Sequence, residues 1–333
     1  MARRSPDKAL VIGASGHLGN AIVRALVERS FQVTACGRRI VPPANLTGLP
    51  ICYWSGDAEV PGQFNKWIAG QDLVVDAAAP YPLEAFSPFS DVPKDPIAHA
   101  ERRTRLLIDA VRKNKTRLVY VGSFVTRVRP RTNAQRAQHQ MMRLAHPYFE
   151  VKELIESQML DAGRRGVPIV ITNPTYCLGP WDLHDRQLCT IPQLLSGKIP
   201  SSISQQLNVV DVRDVAAAII AALDAEIYGE PIQMGAFDIS TDELYSLICK
   251  LGGSPPPRLS TAAPFALAGA YAMELLLGTI GEKTRLPAGG MMMASLFDHI
   301  VHGTELQDLG IVPRPLSETI LDAIKWYRHI GYC

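Results

Sequence analysis

The sequence has little net charge, no C-x-x-C pair and no apolar leader segment at its start. A formal charge of +2 over 333 residues, with no basic block interleaved with aromatics, gives no reason to expect nucleic acid as a partner. The six cysteines are scattered, which favours free thiols in a reducing compartment over a disulfide framework. Residues 1–8 carry charge but not the apolar run that a secretory signal needs. We therefore expect a cytoplasmic protein.

The sequence also lacks clusters of metal-ligating residues and apolar runs long enough to span a membrane. His299 and His302 are spaced to share a helix face, but no third ligand lies near them, so we expect no metal site. The longest apolar run, 262–280, is short for a membrane span and contains Glu274. A buried or lid-forming helix is the favoured interpretation, and peripheral membrane contact is the disfavoured alternative.

The sequence does contain an alternation of short apolar strands with helical stretches. Such an alternation predicts parallel strands joined by right-handed crossovers, hence a doubly wound α/β sheet, and apolar runs such as 73–75 fit burial on both faces. A hydrophobic content of 47% is sufficient for a sizeable core. The main strands are predicted at 8–12, 31–36, 51–54, 72–79, 117–122 and 168–172, and the main helices at 18–29, 96–114 and 147–165.

A glycine-rich turn links the first strand to the first helix, with the spacing G-x-x-G-x-x-G. A strand before such a turn and an amphipathic helix after it are the context in which these glycines bind a dinucleotide. Glycine permits a tight turn and close backbone approach to a pyrophosphate, and the helix N-terminus then faces the phosphates. The residues predicted to cradle the cofactor are Gly13, Ser15, Gly16, His17, Leu18 and Gly19.

The alternation of strands and helices also suggests how the chain is divided. We predict a dinucleotide-binding domain over 1–180, to which a later segment, about 205–228, returns. The rest of 181–333 is expected to form mainly a smaller α/β substrate-binding region. The basic stretch 124–147 is predicted to be irregular and to lie over the substrate.

A serine, a tyrosine and a lysine are expected to meet at the carboxyl edge of this sheet. Tyr148 and Lys152 share one face of the helix that begins at Pro147. A phenol with an ordinary pKa of about 10 is a poor base at neutral pH, and we expect the adjacent ammonium and the helix N-terminus to lower that pKa. Ser123 closes the fifth strand, at the edge where ligands of such sheets bind. Ser123, Tyr148 and Lys152 are therefore the predicted catalytic residues.

Together with the glycine turn, these residues resemble the extended short-chain dehydrogenase/reductase family, and the resemblance runs through nearly the whole chain. It implies a Rossmann fold and a homodimer formed through the helices at 96–114 and 147–165. It also implies that Tyr148 protonates the carbonyl oxygen during hydride delivery, that Ser123 orients this oxygen, and that Lys152 holds the ribose. The other matching positions are Asp57, Ala77–Ala79, Thr104 after Asp95-Pro96, Asn173-Pro174, Gly179-Pro180 and Val212–Val215.

The residues at the end of the second strand indicate which nicotinamide dinucleotide the chain binds. An acidic residue there would accept a ribose 2′-hydroxyl, whereas this chain has Gly37 followed by Arg38 and Arg39. Arginine suits a 2′-phosphate, so NADP(H) is favoured and NAD(H) is the alternative. The resemblance adds Asp57 and Ala58 near the adenine, Ala77, Ala78 and Ala79 behind the cofactor, Lys152 on the ribose, and Pro174 and Thr175, with Asn173, beside the nicotinamide.

Two positions depart from the family's pattern. Many members have an asparagine four residues before Thr104, where this chain has Ala100, which leaves His99 as a substitute hypothesis for a proton relay. Members that epimerise nucleotide sugars carry an arginine for the diphosphate at the position of Leu207. An apolar side chain cannot neutralise a diphosphate, which argues against a nucleotide-sugar substrate.

The later chain is most similar to dihydroflavonol-reductase-like, hydroxysteroid-dehydrogenase-like and hopanoid-associated epimerase-like members. The leading hypothesis is an NAD(P)H-dependent ketoreductase of secondary metabolism that acts on a hydrophobic cyclic or aromatic ketone. The segment 265–277 and Met291–Met293 would wall its pocket, although plain core packing explains each of these residues equally well. A sugar epimerase or dehydratase with tightly bound NAD and a non-catalytic dinucleotide-binding redox sensor are the alternatives.

Overall fold

The centre of the fold is a parallel sheet of seven described strands. The structure, a computed structural model, describes residues 7–82, 93–145, 147–184, 189–203, 205–279 and 305–333. The strands of this sheet are β1 (Lys8–Ile12), β2 (Gln32–Gly37), β3 (Cys52–Ser55), β4 (Leu73–Asp76), β5 (Arg117–Val121), β6 (Ile169–Pro174) and β10 (Pro231–Met234). Their order is β10-β6-β5-β4-β1-β2-β3, which reverses between β1 and β4 and confirms the predicted doubly wound sheet.

Helices cover both faces of the sheet and form much of the C-terminal part. Those of the sheet region are α1 (His17–Glu28), α2 (Gln63–Ile68), α3 (Pro96–Asn114), α4 (Asn133–Ala145), α5 (Pro147–Arg164) and α7 (Val212–Asp224). The C-terminal ones are α6 (Thr190–Leu195), α8 (Thr241–Gly252), α9 (Ala263–Thr279), α10 (Glu305–Asp308) and α11 (Leu316–His329).

Alternation along the strands builds two separate apolar layers. Val11 and Val75 point toward α1 and α7, while Leu10 and Val74 point toward α2, α3 and α5. All four side chains are fully buried, as expected for strands covered on both faces. These two layers hold the helices against the sheet. The predicted site residues lie at the carboxyl ends of β1, β4 and β5.

A third apolar cluster organises the C-terminal part. Two small sheets lie there, β11-β9-β7 and β12-β8, formed by β7 (Tyr176–Leu178), β8 (Ser201–Ile203), β9 (Gln206–Asp211), β11 (Phe237–Ser240) and β12 (Leu259–Thr261). Leu207 of β9, Ile248 of α8 and Ile324 of α11 pack into one core together with Tyr148 and Phe149 of α5. The helix that carries the predicted catalytic tyrosine is thus shared between the sheet and this part.

Two expectations from the sequence are wrong in the described residues. The stretch 124–147 is not irregular, because a short 3-10 turn over Phe124–Arg127 is followed by α4. Within the run 262–280, residues 263–279 form α9, and only the buried alternative of its interpretation is wrong, because Phe265 is 76% and Leu275 is 73% exposed. A lid-forming helix stays a prediction. Among the described helices, none has the length and apolarity to span a bilayer. His299, His302 and Met291–Met293 lie outside the described residues.

Candidate active site

The glycine turn is built by close backbone contacts. Gly13 has a φ of +80°, and a Cβ there would lie 2.7 Å from the Ala77 carbonyl oxygen. A Cβ on Gly19 would lie 2.2 Å from the Gly13 carbonyl oxygen, so the helix also approaches the turn too closely for a side chain. These contacts bring Gly13 beside the Ala77-Ala78 segment that follows β4, and Gly19 beside Gly13 and Ala14.

The N-terminus of α1 fits an anionic group. Gly16 caps the helix without a side-chain hydrogen bond, and the first turn carries no acidic residue. The first amide groups of a helix have no partner within the helix, so they and the helix dipole are available to a pyrophosphate. Ser15 and Leu18 flank this end, and the Ser15 carbonyl oxygen accepts a hydrogen bond from Asn45 Nδ2 at 3.0 Å. The described residues around the turn therefore fit a dinucleotide.

His17 opens this helix as a buried imidazole. Its Nε2 atom is buried and has no hydrogen-bond partner among the described residues. Burial lowers the pKa of His17, although Asp182 raises it to a lesser extent. A neutral His17 leaves the positive end of α1 to the backbone amides.

Two arginines follow the second strand at the edge of the same cleft. Arg38 and Arg39 are exposed, and neither forms an ion pair with a described residue. Tyr53 donates a hydrogen bond of 2.9 Å to the Arg39 carbonyl oxygen, which fixes the backbone after β2. Asp57 is exposed and accepts from the Glu59 amide, and Ala58 is partly buried. These positions lie after β2 and β3, at the carboxyl edge of the sheet.

The predicted serine and tyrosine meet in the structure. Tyr148 Oη donates a hydrogen bond of 2.9 Å to Ser123 Oγ, and the two side chains are 1% and 7% exposed. Ser123 follows β5, whereas Tyr148 lies in the first turn of α5. The strand end and the helix start thus bring together two hydroxyl groups that are 25 residues apart in the chain.

Lys152 lies one helical turn beyond Tyr148, as its spacing predicts. Its side chain is 3% exposed, and its Nζ lies 5.8 Å from the centre of the Tyr148 ring and 5.3 Å from that of Tyr81. The two rings stabilise the ammonium through their negative faces. Burial nevertheless lowers the pKa of Lys152 to about 8, against a smaller raising effect of Asp76.

The acidity of Tyr148 differs from the sequence-based expectation. The spacing predicts that Lys152 and the helix N-terminus lower its pKa, but burial instead raises the pKa well above 10.0. Tyr81 adds to this rise, while the hydrogen bond with Ser123 lowers the pKa by less. Desolvation outweighs the neighbouring charge here because the phenol is fully enclosed. The Tyr148 hydroxyl therefore holds its proton at neutral pH.

Asn173 and Pro174 end the sixth strand, and Thr175 follows it. Pro174 and Thr175 are buried, and the Thr175 hydroxyl donates to the Met234 carbonyl oxygen at 3.3 Å. The Asn173 side chain is fully buried, accepts from the Ser123 amide and donates to Glu156. Asn173 therefore supports the backbone of Ser123, and its place beside the nicotinamide stays a prediction.

A bidentate ion pair closes the end of the fourth strand. Arg103 of α3 donates to both carboxylate oxygens of Asp76 at 2.7 and 2.8 Å, and both side chains are almost completely buried. The Ala78 amide also donates to Asp76 at 3.2 Å. Such a pair is geometrically specific, so it fixes the turn that carries Ala77, Ala78 and Ala79.

The positions that depart from the family pattern are also placed. His99 Nε2 lies 2.7 Å from Glu59 Oε2, so its ring is engaged away from the serine and tyrosine. Ala100 is fully buried, and Leu207 is 6% exposed within the C-terminal core. A buried leucine at position 207 cannot present a charge to a diphosphate.

The fold and these contacts agree with a comparison to known families. Residues 9–235 match the family model of the NAD dependent epimerase/dehydratase family, which is more than half of the chain. The chain belongs to this family. Its members are NAD(P)-dependent oxidoreductases and epimerases of the extended short-chain dehydrogenase/reductase type. The chain is therefore an enzyme whose cofactor is a nicotinamide dinucleotide.

Relatives within the family cover the whole chain. A protein of Synechocystis sp. named "Putative dihydroflavonol 4-reductase" is 28% identical over 339 residues, covering 98% of this chain and 96% of the relative. Sterol demethylase protein B of Methylococcus capsulatus is 26% identical over 332 residues, covering 97% and 98%. The crystal structure of gox2253 has a TM-score of 0.76 at 24% identity over 98% of this chain and 99% of the other, which shows the shared fold.

Several residues near the candidate site were not predicted from the sequence. Tyr81 meets Tyr148 edge to face, with ring centres 5.0 Å apart, and Glu156 lies one turn beyond Lys152 on the same helix. The spacing of Tyr148, Lys152 and Glu156 at i, i+4 and i+8 was a usable signal for Glu156. Asp76 and Arg103 carried no such signal, because they are 27 residues apart on different elements.

Proposed function

We propose that this family member is an NADPH-dependent reductase of hydrophobic cyclic or aromatic ketones. The observation that carries the proposal is the buried Tyr148 hydroxyl, which is held on Ser123 Oγ one helical turn from the Lys152 ammonium. This arrangement supplies a proton donor, an orienting hydroxyl and a cation around one point.

Each side chain has a defined task in carbonyl reduction. A dinucleotide held at the glycine turn would supply the hydride for the carbonyl carbon. Tyr148 donates its phenolic proton to the carbonyl oxygen as negative charge develops there. Because Ser123 Oγ accepts the hydrogen bond from Tyr148, its own hydroxyl hydrogen is free to point at the same carbonyl oxygen. Lys152 then stabilises the phenolate that remains on Tyr148.

The protonation state of the phenol agrees with the proposed reduction. Burial raises the pKa of Tyr148 well above 10.0, which keeps the hydroxyl protonated at neutral pH. A general acid must hold its proton until the oxygen of the substrate becomes basic, whereas a general base must already have lost it. The protonated phenol can therefore serve as the proton donor in ketone reduction.

The choice of NADPH is supported by the two arginines after β2. Arg38 and Arg39 are exposed and have no carboxylate partner among the described residues. A guanidinium binds a phosphate through paired charge-assisted hydrogen bonds, whereas a 2′-hydroxyl gives it no charge to neutralise. NADPH is therefore the proposed reductant.

The proposed substrate class has two sources of support. Leu207 is apolar and buried at the position where a diphosphate-binding charge is expected, which argues against a nucleotide sugar. The Synechocystis relative is named for a dihydroflavonol and the Methylococcus relative for a sterol, both of which are multi-ring compounds. A lipophilic ketone with fused or linked rings agrees with both observations.

The test is NADPH oxidation, followed at 340 nm, by the purified protein with a dihydroflavonol, a 3-ketosteroid and an aryl alkyl ketone. Turnover of at least one, together with its loss in Tyr148→Phe while NADP+ still binds, is the expected result. Failure to oxidise NADPH with any ketone refutes the proposal. Release of NAD from the denatured protein, without net turnover of added cofactor, favours an epimerase instead. If Tyr148→Phe loses neither cofactor binding nor turnover relative to the wild type, the result favours a sensor.

We also propose that the protein forms a homodimer in the cytoplasm. Helices α3 and α5 lie side by side on one face of the sheet and leave Leu106 of α3 44% exposed. None of the six cysteines, all of them in the described part of the chain, forms a disulfide, which suits a reducing compartment. Light scattering of the purified protein tests the dimer, and Leu106→Glu is expected to shift it toward the monomer.

A further inference from the structure

A buried carboxylate lies directly behind the serine of the candidate active site. Glu156 is 6% exposed and lies on α5, one turn beyond Lys152 and two turns beyond Tyr148. No ion pair joins Glu156 to a cation of the described residues, although Lys152 is on the same helix face. Its hydrogen-bond partners are instead two neutral side chains.

One oxygen of this carboxylate receives both hydrogen bonds. Thr126 Oγ1 donates to Glu156 Oε2 at 2.6 Å, and Asn173 Nδ2 donates to the same atom at 2.7 Å. Asn173 Nδ2 also lies 3.2 Å from Thr126 Oγ1, which closes a three-membered ring of contacts. Hydrogen bonds to a carboxylate are shorter and stronger than those between neutral groups, so Glu156 fixes both donors.

Both donors in turn hold the backbone of Ser123. Asn173 Oδ1 accepts from the Ser123 amide at 3.1 Å, while Thr126 Oγ1 lies 3.1 Å from the Ser123 carbonyl oxygen and shares its single hydrogen between that oxygen and Glu156. Because Nδ2 of Asn173 is bound to Glu156, its Oδ1 must face Ser123. The carboxylate thereby selects one of the two orientations of the amide.

Close packing at the end of β5 leaves the Asn173 side-chain amide little room to move. A Cβ on Gly122 would lie 2.3 Å from Asn173 Oδ1, so only glycine permits the amide to approach Ser123 from this side. Asn173 is itself fully buried. A small shift of its side chain therefore moves the Ser123 backbone and, with it, the Ser123 hydroxyl.

We propose that Glu156 is a positioning residue, which sets the Ser123 hydroxyl against Tyr148 through Asn173 and Thr126. The proposal rests on the proposed reductase function, in which Ser123 orients the carbonyl oxygen. Glu156 does not touch the substrate or the cofactor in this role. A displacement of a catalytic group by about 1 Å lowers a rate on the order of 100-fold, which sets the scale of the expected effect.

Two substitutions at position 156 separate the hydrogen-bond acceptor from the bulk of the side chain. Glu156→Met keeps the length of the side chain and removes the hydrogen-bond acceptor. With the ketone that the wild type reduces fastest, we expect kcat to fall about 10- to 100-fold and the KM for NADPH to change little. Glu156→Gln keeps an oxygen for Asn173 and Thr126, so it is expected to restore kcat to within about threefold of the wild type. The matched control is Glu153→Met on the same helix, because the described hydrogen bond of Glu153 goes to Arg143 at 2.5 Å and not to Asn173, Thr126 or Ser123.

A double-mutant cycle tests whether Glu156 acts through Ser123. If it does, Glu156→Met lowers kcat by less than about threefold when Ser123 is already alanine, because the group to be positioned is gone. A loss of the same size in both backgrounds overturns the proposal, and so does full activity of Glu156→Met. Should Glu156→Met not fold, Thr126→Val in the same cycle serves as the second variant, with a smaller loss expected.

A crystal structure of Glu156→Met with NADP+ gives a readout that needs no turnover. The Ser123 Oγ to Tyr148 Oη separation, 2.9 Å in the native protein, is expected to exceed hydrogen-bond distance. An unchanged separation overturns the positioning role. If the wild type reduces none of the ketones, the proposed function fails, and this structure alone decides the role of Glu156.

Discussion

The buried ammonium of Lys152 is expected to destabilise the folded protein. The side chain is 3% exposed, and two phenol rings rather than a carboxylate lie against its Nζ. Burial lowers its pKa from 10.5 to about 8. A difference of about 2.5 pKa units corresponds to about 3.5 kcal/mol of unfolding free energy, because each unit is worth about 1.4 kcal/mol.

The sign of the pH dependence follows from proton binding. Between pH 8 and 10.5 the unfolded chain holds a proton on this lysine that the folded chain has released, so the contribution of Lys152 to stability rises with pH across that interval. Below about pH 8 both states are protonated and the whole penalty is present. Lys152→Met removes it, so we expect the variant to be more stable than the wild type by up to about 3.5 kcal/mol at pH 7 and by less than about 1 kcal/mol at pH 10.

Guanidinium unfolding of the wild type and Lys152→Met at the two pH values measures this difference. Lys325→Met is the control, since the Lys325 side chain is 75% exposed and its removal is expected to change little at either pH. Lys152→Met is also expected to lose ketone reduction, so stability and activity move in opposite directions. A variant that is less stable than the wild type at pH 7, or a gap that stays constant with pH, refutes the reasoning.

Three further substitutions have expected outcomes. Arg38→Ala is expected to raise the KM for NADPH about 10- to 100-fold and leave that for NADH nearly unchanged, since it removes a charge-assisted contact to the 2′-phosphate; equal effects on both cofactors contradict the assignment. Asp76→Asn leaves Arg103 buried without its charge partner, and we expect a loss of about 3–5 kcal/mol in chemical unfolding, whereas a loss below about 1 kcal/mol contradicts the importance of the pair. Gly122→Ala forces Asn173 aside, and we expect a lower melting temperature, a loss of about 1–3 kcal/mol and a reduced kcat; wild-type kcat shows that the contact is dispensable.

The sheet could be predicted because its signal is local. An apolar run such as 73–75 followed by a turn needs no knowledge of distant residues, and the predicted strands lie within a few positions of the observed ones. Helix α4 was missed because its basic composition was interpreted as a solvated loop, although Ala134, Ala137, Met141 and Leu144 recur at helical spacing. The structure attaches it to α5 by a contact between Arg143 and Glu153 at 2.5 Å, and such a tertiary contact has no sequence signature.

The candidate site shows the same division between local and distant information. The i, i+4 spacing of Tyr148 and Lys152 predicted that they share a face, and the position of Ser123 at a strand end predicted the meeting with Tyr148. The acidity of Tyr148 was predicted in the wrong direction, because spacing reports which charges are near but not how much water is excluded. The pair of Asp76 and Arg103 depends on packing between β4 and α3, which the sequence does not reveal.

The four charged groups buried around the site differ in how fully they are satisfied. Asp76 and Arg103 bind each other, and Glu156 binds two neutral donors. The Lys152 ammonium lies near two aromatic rings, and it forms no hydrogen bond or ion pair with a described residue. Lys152 is therefore the group whose proton affinity responds most to what enters the cleft.

A cofactor ribose offers hydroxyl oxygens that accept hydrogen bonds from an ammonium, which favours the charged form and raises its pKa. Binding of NADP+ should then remove part of the penalty that Lys152 imposes, so NADP+ stabilises the wild type more than it stabilises Lys152→Met. The measurement is the rise in melting temperature of each protein at saturating NADP+. An equal rise in both means that Lys152 does not bind the ribose, and its role then rests on Tyr148 alone.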